Sequence, residues 1–304
     1  MKNNKESLTA LVSCFARGYH ATQSTNPVFN DTLAYSLIKE DEQELIATNW
    51  ANAYEFFHPN PDTQLTKAEK LKWVMNTQCI PQLVSRAKYA EDQLSTAIQR
   101  GIKQYVILGA GLDTFAYRQS NLPKDFTIYE VDHPTTQIFK QKRLTEMGIS
   151  IPKNVKYVPV DFTTQSLQQE LLKHGFNDNK FSYFSILGVV MYLTKSDFFR
   201  MLTAIAAAAP NGSSVVFDYL DDKALQNEYA SDKMIKMRQI TAATGEQIVT
   251  SFDPLTLDIE LQDYQMLLYE NLSPEQIEEM YFSNRDGGMH AFDHFHFAHL
   301  AVRK

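Results

Sequence analysis

The strongest constraint on this chain begins at Gln104, where short runs rich in β-branched and aromatic residues start to alternate with helical stretches. The runs are Gln104–Leu108, Thr127–Val131, Val155–Val158, Phe181–Leu187 and Ser213–Tyr219. Between the later ones lie His133–Met147, Gln165–His174 and Lys195–Ala208, with apolar residues at three- and four-residue spacing. Strands separated by helices pair in parallel, because a parallel neighbour requires a long crossover, and that crossover is right-handed. The pattern predicts an α/β sheet covered by helices on both faces. In such sheets ligands bind beyond the carboxyl ends of the strands. The residues that follow each strand are therefore where chemistry should be sought.

The regions on either side read differently. Ser7–Tyr19, Glu42–Phe57, Thr66–Gln78 and a stretch from Pro81 to Arg100 carry helical periodicity, and Gly101 ends the last of them. After Asp221 come a helical stretch to about Thr244, a segment Asp253–Leu261 and a strand Gln265–Leu272. Ser273-Pro274-Glu275-Gln276 starts a further helix. An alternating aromatic strand, Phe292–Val302, ends the chain and makes a hairpin-like pair with Gln265–Leu272. No repeat, low-complexity tract or Gly/Ser linker divides the 304 residues. One domain is expected, with a helical cap over 1–100, a ligand-binding core over 101–220 and a substrate cap with the final strands over 221–304.

Composition narrows the function. A net charge of −7 argues against general nucleic-acid or anionic-membrane binding, and no long Lys/Arg run offsets it. Two distant cysteines, Cys14 and Cys79, fit neither a disulfide scaffold nor a Cys-rich zinc site, and they suit a reducing compartment. No run reaches the length of a membrane span. Leu11-Val-Ser-Cys14 resembles a lipoprotein cleavage box, but the apolar region before it is short and Glu6 adjoins it. A helix carrying a structural Cys14 and a cytoplasmic location are expected.

The strand ends carry the motifs. Tyr105-Val-Ile-Leu-Gly-Ala-Gly-Leu-Asp-Thr-Phe-Ala-Tyr-Arg118 runs from an apolar strand into Gly109-Ala110-Gly111 and then Asp113. Two positions without a Cβ allow a ligand to approach the backbone, although a tight structural turn would read the same way. Thr114 occupies the third glycine position of a dinucleotide fingerprint, and no GK[ST] follows, so both phosphate-cradling motifs fail. The turn suits a ligand without phosphates, such as S-adenosylmethionine. Glu130, near the end of the second strand, is placed to accept both ribose hydroxyls, or else is a capping acid. Asp132 precedes His133-Pro134 and reads equally as a helix N-cap. Asp161-Phe162 could receive the adenine amino group and pack on the base, or begin a helix. Gly188 permits another close approach, and Val189, Met191 and Tyr192 wall the methyl-donor region or simply pack the core.

ILGAGLDTFAYR, YEVDHP, VDF and GVVMYLT together resemble the leucine carboxyl methyltransferase family, which includes related polyketide O-methyltransferases. Cys14-Phe-Ala-Arg-Gly-Tyr-His20, Pro27-Val-Phe-Asn-Asp31 and Ser85-Arg86-Ala-Lys-Tyr89 extend the likeness over residues 11 to 220. The resemblance implies a Rossmann-like class I methyltransferase sheet of seven mostly parallel strands with an antiparallel last strand. It also implies S-adenosyl-L-methionine as cofactor. By that likeness Arg86 holds the methionine carboxylate, and Gly109, Ala110 and Gly111 pass close to the methionine moiety. Glu130 takes the ribose, and Asp161 with Phe162 the adenine. Many relatives have a Glu just before the glycine of the fourth motif, and Leu187 departs from the family pattern at that contact while the sheet and pocket motifs keep to it.

The implied activity is O-methylation of a carboxylate or hydroxyl on a small molecule or a peptide C-terminus. A non-catalytic cofactor-binding regulator and an NAD-dependent oxidoreductase are the alternatives. A carboxylate acceptor is already ionised at neutral pH, so no base is required. For a phenolic acceptor, His20 or Tyr192 could take the proton. Arg17 is a weaker candidate for a second contact. His290, His294, His296 and His299 lack a Glu or Cys at ligand spacing, so no metal is expected; His294 and His296 should share one face of the last strand.

Overall fold

The computed structural model describes residues 8–58, 60, 64–162, 164–285 and 288–304. Its strands are β1 (Gln104–Leu108), β2 (Thr127–Asp132), β3 (Val155–Pro159), β4 (Ser182–Ile186), β5 (Ser214–Leu220), β6 (Met266–Leu272) and β7 (Phe295–Val302). They form one seven-stranded sheet in the order β3-β2-β1-β4-β5-β7-β6. The first five are parallel, and β7 runs antiparallel between β5 and β6. This is the class I methyltransferase sheet. β1 and β4 are buried at every position, as continuous apolar strands with helices on both faces should be. Strand order reverses at β1, which pairs with β2 on one side and β4 on the other, so a crevice opens beyond their carboxyl ends.

The N-terminal region is helical: α1 (Leu8–Gln23), α2 (Thr32–Ser36), α3 (Glu40–Asn52), α4 (Tyr54–Phe57), α5 (Lys67–Val74) and α6 (Ile80–Gln99). The start of the first predicted helix, Ser7, lies outside the described residues. Thr66 and Glu69 close a capping box that fixes the start of α5. One feature departs from the sequence pattern: α5 and α6 are joined through a π-helical turn, Met75–Cys79. Such turns occur mostly as local insertions in helices, often at functional sites. Cys14 is fully buried in α1, and its thiol donates to the Ala34 carbonyl at 3.1 Å.

The crossovers carry α7 (Phe115–Arg118), α8 (Pro134–Glu146), α9 (Leu167–Lys173) and α10 (Lys195–Ala208). Beyond β5 lie α11 (Asp232–Ala243), α12 (Leu257–Gln262) and α13 (Pro274–Tyr281), the last begun by a Ser273–Gln276 capping box. The expected helix from Asp221 is shorter than the pattern suggested. A 3-10 turn over Asp222–Leu225, capped by Asp221, precedes α11. The two sheet faces bury different partners. One core joins the N-terminal helices to residues such as Tyr105, Ile107, Ile128 and Tyr183; the other packs α9, α10 and α12 against Val106, Leu108, Phe184 and Phe217. No helix among the described residues is long and apolar enough to cross a membrane.

Candidate active site

The glycine turn is pinned to the end of the neighbouring strand. The Gly109 and Ala110 amides donate to the Val131 carbonyl at 2.9 and 3.1 Å. The Gly111 amide donates to an Asp132 carboxylate oxygen at 2.6 Å. Asp113 accepts from the Phe115 amide at 2.8 Å and so starts α7. Gly109 has φ +73°, and a Cβ there would lie 2.5 Å from Val189 Cγ2. Both the backbone angle and the close approach of the segment after β4 require glycine.

The two acids of β2 take different places. Glu130 is fully buried and pairs with Lys140 Nζ of α8 at 2.6 Å, while its Oε1 has no hydrogen-bond partner among the described residues. Burial pushes its carboxyl up to about 7, against the pull of the Lys140 charge. Sealed in this way, it does not face the crevice where the sequence pattern put it. Asp132, two residues on and partly exposed, is the acid that touches the turn. Its other oxygen accepts from the His133 amide at 2.6 Å, and His133 supplies the N-cap of α8.

Arg17 belongs to the support of this turn. Its Nε meets Asp31 at 2.9 Å and its Nη2 donates to the Leu112 carbonyl at 2.8 Å. Asp31, also buried, accepts from Thr114 Oγ1 at 2.7 Å and lies 3.3 Å from Arg118 Nε. Burial opposes both charges, but the pairing prevails: Arg17 is held more firmly protonated and Asp31 more firmly ionised than usual. The conspicuous Arg17 and Asp31 of the N-terminal segments thus brace the turn.

Arg86 of α6 pairs through Nη1 with Asp218 at 3.0 Å. Asp218 is fully buried on β5, and it also accepts from Gln82 Nε2 at 3.1 Å and from the Gly188 amide at 2.6 Å. A Cβ on Gly188, which has φ +67°, would lie 2.4 Å from Arg86 Nη2. Arg86, Gly188 and Asp218 therefore form one knot joining α6, the β4 exit and β5. Sequence reasoning missed Asp218, although a lone acid inside Val-Val-Phe-Asp-Tyr was a readable sign, because a buried charge demands partners.

Arg86 and Gly188 also line a cavity of about 360 Å³ between the N-terminal helices and α11. Trp50, Cys79, Met191, Met237 and Phe292 contribute to its wall, together with Tyr192 and Lys233. Burial pushes the Tyr192 phenol up to about 12 and the Cys79 thiol to about 12, so both remain protonated at neutral pH. Leu187, in place of the family Glu, packs against the N-terminal core.

The other candidates fall outside this cluster. Asp161 and Phe162 follow β3; the Asp161 amide donates to Gln165 Oε1 at 2.8 Å and Phe162 packs on the second core. His20 is not a cavity residue: its Nε2 accepts from the Val28 amide at 2.8 Å, and burial lowers it to about 4. His294 precedes β7, with φ +70°, instead of sharing its strand face with His296. Both histidines approach Asp221, at 2.9 and 3.6 Å. Among the described residues no group of three or more His, Cys, Asp or Glu side chains could hold a metal ion.

The leucine carboxyl methyltransferase family model matches residues 10–206. YktD of Bacillus subtilis (strain 168), provisionally named an S-adenosyl-L-methionine-dependent methyltransferase, is 38% identical and covers 100% of both chains. A Mycobacterium avium (strain 104) protein with the same kind of name is 29% identical over 77% of this chain and 71% of its own. Among solved structures, a methyltransferase assigned by inference from Thermobifida fusca YX matches with a TM-score of 0.54 at 16% identity, over 84% of this chain and 94% of that one. A DUF574 family protein from Streptomyces avermitilis MA-4680 also scores 0.54, at 14% identity over 84% and 97%. These two likenesses speak to the fold.

Proposed function

Since this chain belongs to the leucine carboxyl methyltransferase family and is an S-adenosylmethionine-dependent methyltransferase, we propose that it methylates a carboxylate or hydroxyl oxygen. The acceptor, a small molecule or a peptide C-terminus, occupies the cavity beside the knot. One observation carries this reading: Arg86 and Gly188 stand at the β4 exit and on the cavity wall at once. A methionine moiety held there would direct its methyl group towards the acceptor.

The crevice residues fit the cofactor. Gly109 and Gly188 let Val189 and the Arg86 guanidinium close in on the strand ends. Asp132, at the mouth of β2, is better placed than Glu130 to receive ribose hydroxyls, and Asp161 with Phe162 remains the candidate pair for adenine. Arg86 offers a planar guanidinium to a carboxylate, fixed in place by Asp218. When bound, S-adenosylmethionine supplies an electrophilic methyl carbon. The protein's part is to orient the acceptor oxygen and exclude water, a contribution worth on the order of 7 to 11 kcal/mol when alignment is good. Tyr192, protonated, serves as a hydrogen-bond donor and not as a base.

Calorimetric titration with S-adenosylmethionine, and with NAD in parallel, tests the reading. We expect binding of the first alone, weakened about tenfold or more in Arg86→Ala, the loss of one charge-assisted contact. No binding at millimolar concentration would overturn the assignment, and unchanged affinity in the variant would remove Arg86 from it. Release of S-adenosylhomocysteine with candidate acids and phenols then separates an enzyme from a cofactor-binding regulator.

A further inference from the structure

The wall of the cavity carries a charge imbalance. Among the described residues no Asp or Glu lines it, and only two lining side chains, Arg86 and Lys233, are cationic. Arg86 is neutralised by Asp218. Lys233, in the first turn of α11, makes no ion pair and no hydrogen bond among the described residues; its ammonium rests 3.8 Å from the centre of the Phe292 ring. A cation held over an aromatic face in apolar surroundings gains only part of what it loses in hydration. An anion arriving in the cavity would supply the rest.

We propose that Lys233 is the acceptor-recognition residue and binds an anionic oxygen on an otherwise apolar acceptor. The ligand class is an amphipathic acid, its ring or chain lying against Trp50, Met237 and Phe292 and its carboxylate or phenolate meeting the ammonium. This rests on the reading that the acceptor occupies the cavity, and it adds which end of the acceptor is recognised and by what. Water is displaced from the apolar wall, and the ion pair forms where screening is weak.

The groups facing Lys233 set its response to pH. Burial lowers it from 10.5 to about 8, opposed by Asp293 before β7, Glu278 of α13 and Cys79 of the π-helical turn. Neither carboxylate lines the cavity, and the Cys79 thiol stays protonated, so none of the three serves as a counter-ion inside it. Arg86, on the same wall, is already paired with Asp218. Acid binding should therefore be strong below pH 8 and fall above it as the ammonium loses its proton.

The test uses the full chain saturated with S-adenosylhomocysteine, with 4-phenylbutyrate and its neutral isostere 4-phenylbutanamide as probes, followed by calorimetry. The acid should bind at least about tenfold more tightly than the amide, the preference given by one charge-assisted contact. Lys233→Met should erase the preference; Lys233→Arg should restore it without the decline above pH 8. Cofactor affinity should be the same in all three proteins. A parallel pair, 4-nitrophenol and nitrobenzene, distinguishes a phenolate from a carboxylate as the preferred anion. The proposal is overturned if the acid binds no better than the amide in the unmodified protein, or if the preference survives in Lys233→Met. Both of those outcomes leave the cofactor reading intact, whereas failure of S-adenosylhomocysteine to bind would refute that reading instead.

Discussion

The strand-end crevice and the cavity beside it share Arg86 and Gly188 but are built on opposite principles. In the crevice, polar groups are matched by the protein itself: Gly111 with Asp132, Gly188 with Asp218, Arg17 with the Leu112 carbonyl. Its parts are short segments that follow consecutive strands. The cavity draws its wall from Thr9 to Phe292, is mostly apolar, and among the described residues leaves Lys233 without a hydrogen bond or ion pair. The crevice is organised before anything binds, which suits a cofactor that never changes. Under the proposed reading, the cavity selects its acceptor by shape and a single charge.

Breaking the knot between the two should have the largest effect. Asp218→Ala leaves the Arg86 guanidinium and the Gly188 amide without their acceptor in a buried site. Removing one partner of a buried pair typically costs about 3 to 5 kcal/mol, so urea unfolding should show a loss of that order, accompanied by weaker cofactor binding. If stability were unchanged, the crevice would not be the rigid half of the molecule. A smaller effect is expected from Gly109→Ala, which adds a Cβ 2.5 Å from Val189 Cγ2 at φ +73°. The left-handed backbone alone costs about 1 to 2 kcal/mol. Adding Val189→Ala should recover the steric part of the loss in cofactor affinity and leave the backbone part. Equal losses in the single and double variants would show that Val189 is not what excludes a side chain at Gly109.

The same contrast governs what the sequence could reveal. The parallel strands and the glycine turn were legible because each depends on local periodicity or on residues that lie together. Glu130 lies on β2 as expected, but its burial against Lys140 of α8 depends on a partner from another element, which the strand's own residues do not announce. Asp218 and Asp31 were recognisable as acids in unusual places, yet their partners lie on other elements. The π-helical turn has no periodic signature, and it is where Cys79 enters the cavity wall. Lys233 escaped notice for a related reason. A lysine two residues into a helix is unremarkable until packing brings it over Phe292.

The last effect, confined to acid pH and absent at neutrality, concerns His20, which sequence reasoning had offered as a proton acceptor for the chemistry. It lies on α1, accepts the Val28 amide and is absent from the cavity wall, so it belongs to the scaffold that supports the crevice. Burial first, and the Arg285 charge second, lower it from 6.5 to about 4. The unfolded chain therefore takes up a proton near pH 6.5 that the folded chain accepts only near 4. The contribution of neutral His20 is complete above pH 6.5 and is lost as pH falls towards 4. His20→Asn removes this titration, so its unfolding free energy should fall less steeply over that window than that of the unmodified protein. Glu130, raised by burial, favours folding as pH falls towards 4.5, and this opposing trend is common to both proteins. The difference in slope therefore reports His20 alone. Identical slopes would mean that His20 is not held neutral in the fold, whereas cofactor affinity at neutral pH should not distinguish the two proteins, since the histidine acts on the scaffold and touches neither the crevice nor the cavity.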